Sequence, residues 1–271
     1  MLYKRQKALL DIVEHCQGCN RTKLMKVAFL IHKSLCLDSV TFYDFVPYKY
    51  GAYSFQLDKD IVKLCELKLL RYSDSEGFVT SKIFKNELSK EFVSKYQEET
   101  AKTLTDLIYE QYPYYTLNSV IREKNYSISE MDGLYTIGYE GRSIDSFVNI
   151  LIQNNIKIVA DVRATPLSRK YGFSVRQLES ILLKMGIHYY SAKSLGVPNH
   201  IRNLIDEISM DEYLDLYSVA LKNQSESLGK LSQIINQGTS TVLLCYENNH
   251  QECHRSVVAK KVETDKKVVN L

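Results

Sequence analysis

Apolar and polar positions follow two different rhythms along the chain. Up to about residue 122 the apolar side chains recur at helical spacing. Ala8, Leu9, Ile12 and Val13 do so over residues 4 to 15, and Leu24, Val27, Ala28 and Ile31 in a second stretch, for which Asn20-Arg21-Thr22 offers capping groups. After a turn containing Pro47 and Gly51, residues 54 to 70 predict a third helix carrying Leu57, Ile61, Leu64, Cys65 and Leu69. Behind it, Leu70-Arg71-Tyr72 and Phe78-Val79-Thr80 flank the polar run Ser73-Asp74-Ser75-Glu76-Gly77, the signature of a short hairpin. Three helices and a hairpin describe a winged helix-turn-helix, and equally a small helical domain with an incidental hairpin. Residues 84 to 122 predict one long charge-rich helix and a shorter one around Tyr112-Pro113-Tyr114-Tyr115. The polar, acidic stretch 124 to 133 has no period, so the boundary falls there, between a mainly α, winged-helix-like domain over 1–123 and a second domain over 134–271.

From Leu134 short apolar runs alternate with amphipathic ones. The strands expected are 134 to 137, 156 to 162, 187 to 190 and 240 to 246, and the helices 143 to 153, 174 to 185, near 211 to 222, 225 to 236, and a last one from about His254. Such alternation predicts an α/β domain with a mainly parallel sheet and helices on both faces.

Composition changes this picture little. The 271 residues are 45% hydrophobic and 25% charged, as packed cores and wet surfaces require. A net charge of +3 permits a local nucleic-acid-binding patch without arguing for one. No apolar run approaches the ~20 residues of a membrane span, and the opening Met1-Leu2-Tyr3-Lys4-Arg5-Gln6-Lys7 leads into a helical pattern rather than a signal core. No membrane association and a cytoplasmic location are therefore expected. The six cysteines are scattered and read as reduced thiols, with Cys36 and Cys65 in apolar helical stretches. Most of the twenty tyrosines lie at element ends, as half-buried packing groups with a wet hydroxyl.

Candidate chemistry gathers where the strands end, since ligands of a parallel sheet sit at the carboxyl ends of its strands. The first strand is followed by Gly138-Tyr139-Glu140-Gly141-Arg142, the second by Asp161 and Arg163 with Pro166, Ser168 and Arg169, and the fourth by Glu247 and Cys253-His254-Arg255. Arg142, Arg163, Arg169 and Arg255 can thus converge on one edge, where their planar forks suit phosphate or carboxylate, as does the start of the helix near His254. Cys253, at the first turn of that helix beside His254, is the candidate nucleophile; the alternative is a thiol packed beneath the loop with His254 as a cap. Gly138 and Gly141 serve either a close approach to phosphate or a plain turn. Asp161 either accepts a proton or pairs with Arg163 or Arg169.

Two N-terminal features stand apart. His15-Cys16-x-x-Cys19 offers soft ligands, but no second pair follows at zinc spacing, so no metal is assigned there. Lys23, Lys26 and Lys33, with Lys49, Lys59, Lys63, Lys68 and Arg71, fit phosphate contacts by a winged helix or a solvated helical face.

The ordered series Ile137-Gly138-Tyr139-Glu140-Gly141, Asp161-Val162-Arg163-x-x-Pro166-x-Ser168-Arg169, Gly172-Phe173, Leu195-Gly196, Leu244-Cys245-Tyr246-Glu247 and Cys253-His254-Arg255 resembles the domain-of-unknown-function family numbered 488, over roughly 134 to 271. In that resemblance 267 to 271 would be the closing strand, while Leu195-Gly196-Val197 departs where the family often has a second glycine. Residues 45 to 54, with Leu57 and Asp60, are similar to the antitoxin-like domain called Panacea or SocA-like, over about 5 to 120. The first resemblance implies a shared fold and site; the second implies a place among bacterial defence or toxin and antitoxin proteins.

The expectation is an enzyme acting on a phosphate-bearing substrate, nucleic acid or nucleotide. Arg142, Arg163, Arg169, Arg255, Gly138, Tyr139 and Ser168 would hold the anion, Cys253 and His254 would react, and Asp161 or Glu247 would move protons. Its rivals are a non-catalytic DNA-binding sensor and an antitoxin-like protein that binds a protein partner through the N-terminal domain. No cofactor is named and no metal ligands are assigned.

Overall fold

The computed structural model of the protein describes residues 2–16, 18–38, 41–81, 90–129 and 132–271. The chain divides into two compact units, an N-terminal one of Met1–Ser127 with Ser143–Asn149, and a C-terminal one of Ile128–Arg142 with Ile150–Leu271.

The N-terminal unit runs α1 (Lys4–His15), α2 (Arg21–Leu35), β1 (Val46–Tyr48), β2 (Gly51–Tyr53), α3 (Phe55–Glu66), β3 (Leu70–Ser73), β4 (Gly77–Thr80), α4 (Lys90–Tyr96) and α5 (Ala101–Gln111). The Asn20 carboxamide oxygen accepts from the Lys23 amide and starts α2, and the Ser54 hydroxyl does the same for α3 through the Leu57 amide. Residues 23 to 31 of α2 are all buried, which makes this helix the axis of an apolar cluster with Leu9, Ile12, Leu57, Ile61 and Leu104. Lys23 and Lys26 are therefore not on a solvated face. Lys23 Nζ donates to the Gln97 carbonyl, and Lys26 Nζ to the carbonyls of Tyr50 and Ala52.

Four local expectations change. The turn around Pro47 and Gly51 is a hairpin of two three-residue strands, with Tyr48 opposite Gly51 and Gly51 at φ +89°, too short to display an alternating pattern. Of the long helix expected from 84, residues 84 to 89 lie outside the described residues. From 90 onward there are two helices, because the Thr100 hydroxyl caps α5 by accepting from the Thr103 amide. The shorter helix is a single 3-10 turn, Pro113–Thr116. Cys36 ends α2 in the left-handed conformation, φ 48°, and is exposed rather than buried in a helix. The β3–β4 hairpin pairs antiparallel in the expected register, Leu70 with Thr80 and Ser73 with Gly77.

The C-terminal unit is α/β, a five-stranded parallel sheet with helices around it. Its strands are β5 (Leu134–Gly138), β6 (Ile158–Asp161), β7 (His188–Ser191), β8 (Thr241–Cys245) and β9 (Val268–Asn270), in the order β7-β6-β8-β5-β9. The connecting helices are α6 (Ile144–Gln153), whose residues up to Asn149 count with the N-terminal unit, α7 (Val175–Lys184), α8 (Asn199–Arg202), α9 (Met210–Leu221), α10 (Ser225–Asn236) and α11 (His254–Lys261). Every residue of β5 and β8 is buried, as interior strands of a covered parallel sheet must be, while β7 and β9 lie at the edges and are partly exposed. Register aligns the carboxyl ends: Gly138 pairs with Cys245, and Asp161 with Leu244. From β5 the chain crosses β8 to reach β6, and from β8 it crosses β5 to reach β9. The connections thus leave the β5–β8 pair in opposite directions, the topology at which parallel sheets bind ligands. Among the described residues no helix is long and apolar enough to cross a membrane.

Candidate functional site

Cys245 is the last residue of β8, Glu247 lies two residues beyond, and Cys253 and His254 are the cap and first residue of α11. An extended chain turns residues i and i+2 to one side, so Cys245 and Glu247 face the same way and α11 brings the other two to them. The Glu247 Oε2 atom accepts from Cys245 Sγ at 3.0 Å and from Cys253 Sγ at 2.9 Å. His254 Nδ1 lies 3.5 Å from Cys245 Sγ and 4.0 Å from Cys253 Sγ. The other ring nitrogen, Nε2, is 3.0 Å from the Val162 carbonyl, which can only accept. Nε2 therefore carries a proton, and His254 turns Nδ1 toward the two sulfurs. Tyr217 packs edge-on against the imidazole at 5.4 Å. Cys245, Cys253 and His254 are buried and Glu247 is half-buried.

The electrostatics follow from this packing. Burial pushes the Cys253 thiol well above its ordinary value, the contact with Cys245 adds to that, and His254 opposes it. Burial also works against ionised Glu247, but the two thiol hydrogen bonds outweigh it and leave the carboxyl below its usual range. Burial alone would lower the His254 imidazole; the contacts with Cys253, the Val162 carbonyl and Glu247 reverse this and raise it. At neutral pH Cys253 is a protonated, 1% exposed thiol directed at a carboxylate, unlike the accessible thiolate expected of a free nucleophile.

Asp161 and Arg163 form a closed, buried pair. Arg163 Nε donates to Asp161 Oδ1 at 2.8 Å and Nη2 to Oδ2 at 2.6 Å, while Nη1 donates to the Phe173 carbonyl at 2.9 Å and the Tyr139 hydroxyl at 3.2 Å. Tyr189 donates to Asp161 Oδ2 at 2.9 Å, and the Tyr139 ring stacks on Phe173 at 4.2 Å. Of the two roles open to Asp161, the geometry matches pairing with Arg163. The group braces the ends of β5 and β6 and commits four of the five guanidinium N–H donors within it.

Arg255 is similarly committed. It is 1% exposed, and Nη1 donates to the Glu247 carbonyl at 2.5 Å, Nη2 to the Asn248 carbonyl at 3.0 Å, and Nε to Thr136 Oγ1 at 3.4 Å. It holds the loop that carries Glu247. Gly138 has a matching role, because a Cβ there would lie 1.8 Å from the Glu247 carbonyl oxygen. The close approach is backbone to backbone between the ends of β5 and β8. Gly141, at φ +73° with open space around it, is a turn residue.

Arg142 differs from both of these arginines. Its Nη2 reaches the Asn248 side chain and the Leu271 carbonyl at 3.3 Å each, but its buried Nε has no partner. Burial, and then the positive charge of Arg255, depress its affinity for a proton. Two guanidinium groups thus lie near each other at these strand ends. Lys170 Nζ donates to the Tyr139 carbonyl at 3.3 Å. Ser168 closes the loop after β6, its backbone exchanging hydrogen bonds with Ser174 Oγ, and Arg169 is exposed beside it.

Cys245 is the site member that residue-by-residue reading does not find. At the end of an apolar strand a thiol reads as core, and the signals are its spacing of two from Glu247 and its place in the motif Leu244-Cys245-Tyr246-Glu247. In the N-terminal unit, Cys16 Sγ lies 2.9 Å from Cys19 Sγ inside the apolar cluster, while His15 Nδ1 turns back to the Asp11 carbonyl at 2.9 Å. Of the basic residues there, Lys49, Lys59, Lys63, Lys68 and Arg71 are exposed.

Residues 143–262 match the family model described as "Domain of unknown function DUF488". The match begins beyond the N-terminal region likened to Panacea or SocA-like domains and does not bear on it. No curated protein and no solved structure matches the chain.

Proposed function

Starting from the match of residues 143–262 to the DUF488 family model, we propose that the C-terminal unit is an enzyme acting on a phosphate-bearing substrate, nucleic acid or nucleotide. Cys245, Glu247, Cys253 and His254 supply the reactive groups. The observation that carries the reading is Arg142: a guanidinium with a buried, unpartnered Nε beside a second guanidinium, at the strand ends where the reactive groups converge. Such a place favours an anion, and a planar phosphate oxygen pair satisfies an arginine fork. Arg142, Arg169 and Lys170 are the anion contacts in this scheme, while Arg163 and Arg255 shape the site. The six free cysteines support a reducing, cytoplasmic setting.

The test is a binding screen by fluorescence polarisation with labelled DNA, RNA and nucleotides, comparing the intact chain with Arg142→Ala and Arg169→Ala. Loss of a charge-assisted contact of ~1.4 kcal/mol weakens binding roughly tenfold. Unchanged affinity in both variants, with binding intact, contradicts the assignment.

A second reading rests on the β3–β4 hairpin that follows three helices, the order of a winged helix. In it the N-terminal unit binds DNA or a defence-system protein, as its likeness to Panacea or SocA-like domains implies, and the C-terminal site only senses an anion. DNA binding that depends on Lys59, Lys63 and Lys68 and is indifferent to Cys253→Ser favours this reading over the first.

A further inference from the structure

We propose that Cys245, Glu247, Cys253 and His254 together bind a single divalent metal ion of the zinc class. The four donor atoms lie within 4.8 Å of one another, and among the described residues no other group of three or more such side chains converges in this way. A tetrahedral ion bonded at about 2.0 to 2.3 Å keeps its donors roughly 3.3 to 3.8 Å apart. Here the oxygen lies 3.0 and 2.9 Å from the sulfurs, and the imidazole nitrogen 3.5 and 4.0 Å from them. The widest separation, within 4.8 Å, has to close by about an ångström for the cluster to become that tetrahedron.

The surroundings are those of a ligand set. Metal-binding imidazoles donate their second ring N–H to a carbonyl or carboxylate, which fixes the tautomer and aims the other nitrogen at the ion. His254 does this through Nε2 and the Val162 carbonyl. Cys245 ends a fully buried strand and Cys253 and His254 begin a helix, so three donors sit on rigid elements. The fourth, Glu247, lies on a loop whose carbonyls at 247 and 248 are pinned by Arg255, which acts as a positioning residue. Two sulfurs, one nitrogen and one oxygen are a soft set that suits zinc and excludes calcium and magnesium, which require oxygen cages. Only Glu247 is less than fully buried, so it is the donor that can cede its place to an incoming oxygen ligand. The site goes beyond the phosphate reading and stands on these four donors alone, so either can fail without the other.

The test is titration of the full chain, stripped with a chelator, with cobalt(II). A thiolate-to-cobalt charge-transfer absorption is expected that saturates at a single equivalent and is displaced by zinc. It is expected to vanish in Cys245→Ser and in Cys253→Ser and to persist in the Cys16→Ser, Cys19→Ser double variant. Should a cysteine variant fail to fold by circular dichroism, Glu247→Gln decides: it retains every thiol and is expected to weaken cobalt binding about tenfold or more, the scale of ligand-sphere changes. No charge-transfer band in the double variant, a band that survives both Cys245→Ser and Cys253→Ser, or unaltered affinity in Glu247→Gln overturns the proposal.

Discussion

Two pairs of buried thiols occur in this chain, and the difference between them lies in their company. Cys16 and Cys19 are 0% exposed and in mutual contact at 2.9 Å, three positions apart in a motif that looks like half of a metal site. They sit inside the apolar cluster with the Lys23 ammonium as their charged neighbour, and the adjacent His15 is turned to Asp11. Cys245 and Cys253, eight positions apart, share a carboxylate oxygen and face an oriented imidazole nitrogen. Close spacing in sequence leaves the first pair as core, and tertiary convergence makes the second a site. Chemistry follows from which polar groups the fold commits to the thiols, not from how near the thiols are along the chain.

Substitutions can break this contrast at its supports before they touch the thiols. Arg255→Ala has the largest expected effect. It removes a buried charge and leaves the Glu247 and Asn248 carbonyls without their donor, for a loss of about 3–5 kcal/mol. Denaturant unfolding of the full chain, followed in the C-terminal unit, reads this loss, and cobalt binding should disappear with it. Gly138→Ala follows. Its Cβ must be accommodated where the Glu247 carbonyl oxygen now sits 1.8 Å away, which forces the β5 and β8 ends apart at a cost of about 1–3 kcal/mol. An unshifted midpoint in either variant would show that the loop is not held as described.

The next comparison is direct. Cys16→Ala should lower stability by about 1 kcal/mol through lost packing and leave cobalt binding intact, whereas Cys253→Ala should abolish binding. A smaller, graded effect concerns pH. Cys253 is held protonated by burial and Glu247 is held ionised by its thiol donors, so metal entry must displace thiol protons. Protons compete with the ion: affinity is expected to fall as pH is lowered from about 8 to about 6, and calorimetry in buffers of different ionisation enthalpy should show proton release on binding. A pH-independent affinity would place the ion elsewhere.

The sheet was legible because its physics is local. Residues 134 to 138 and 241 to 245 are mainly apolar, with Thr136 and Thr241 as their polar members, since both strands are buried throughout, and the helices between them carry clear amphipathic spacing. The closing strand Val268–Asn270 was legible from the family resemblance, and residues 143–262 match that family. The N-terminal unit was harder to read. Strands of three residues such as Val46–Tyr48 show no alternation, and the break between α4 and α5 depends on one threonine cap. In the site, Cys253, His254 and Glu247 stood out because polar, reactive residues after a strand have no core role. Cys245 was hidden by its apolar strand. The arginines misled for a related reason: charge in sequence does not tell whether a guanidinium faces a ligand or, like Arg163, has Asp161, Tyr139 and a carbonyl already around it.

The most direct test of the central claim, that Cys245, Glu247, Cys253 and His254 act as one ligand set, is zinc X-ray absorption fine structure on the full-length Cys16→Ser, Cys19→Ser chain. Two sulfur neighbours near 2.3 Å and two nitrogen or oxygen neighbours near 2.0 Å, about the distances of zinc to thiolate, imidazole and carboxylate, are the predicted first shell. A shell of nitrogen and oxygen alone would contradict the account.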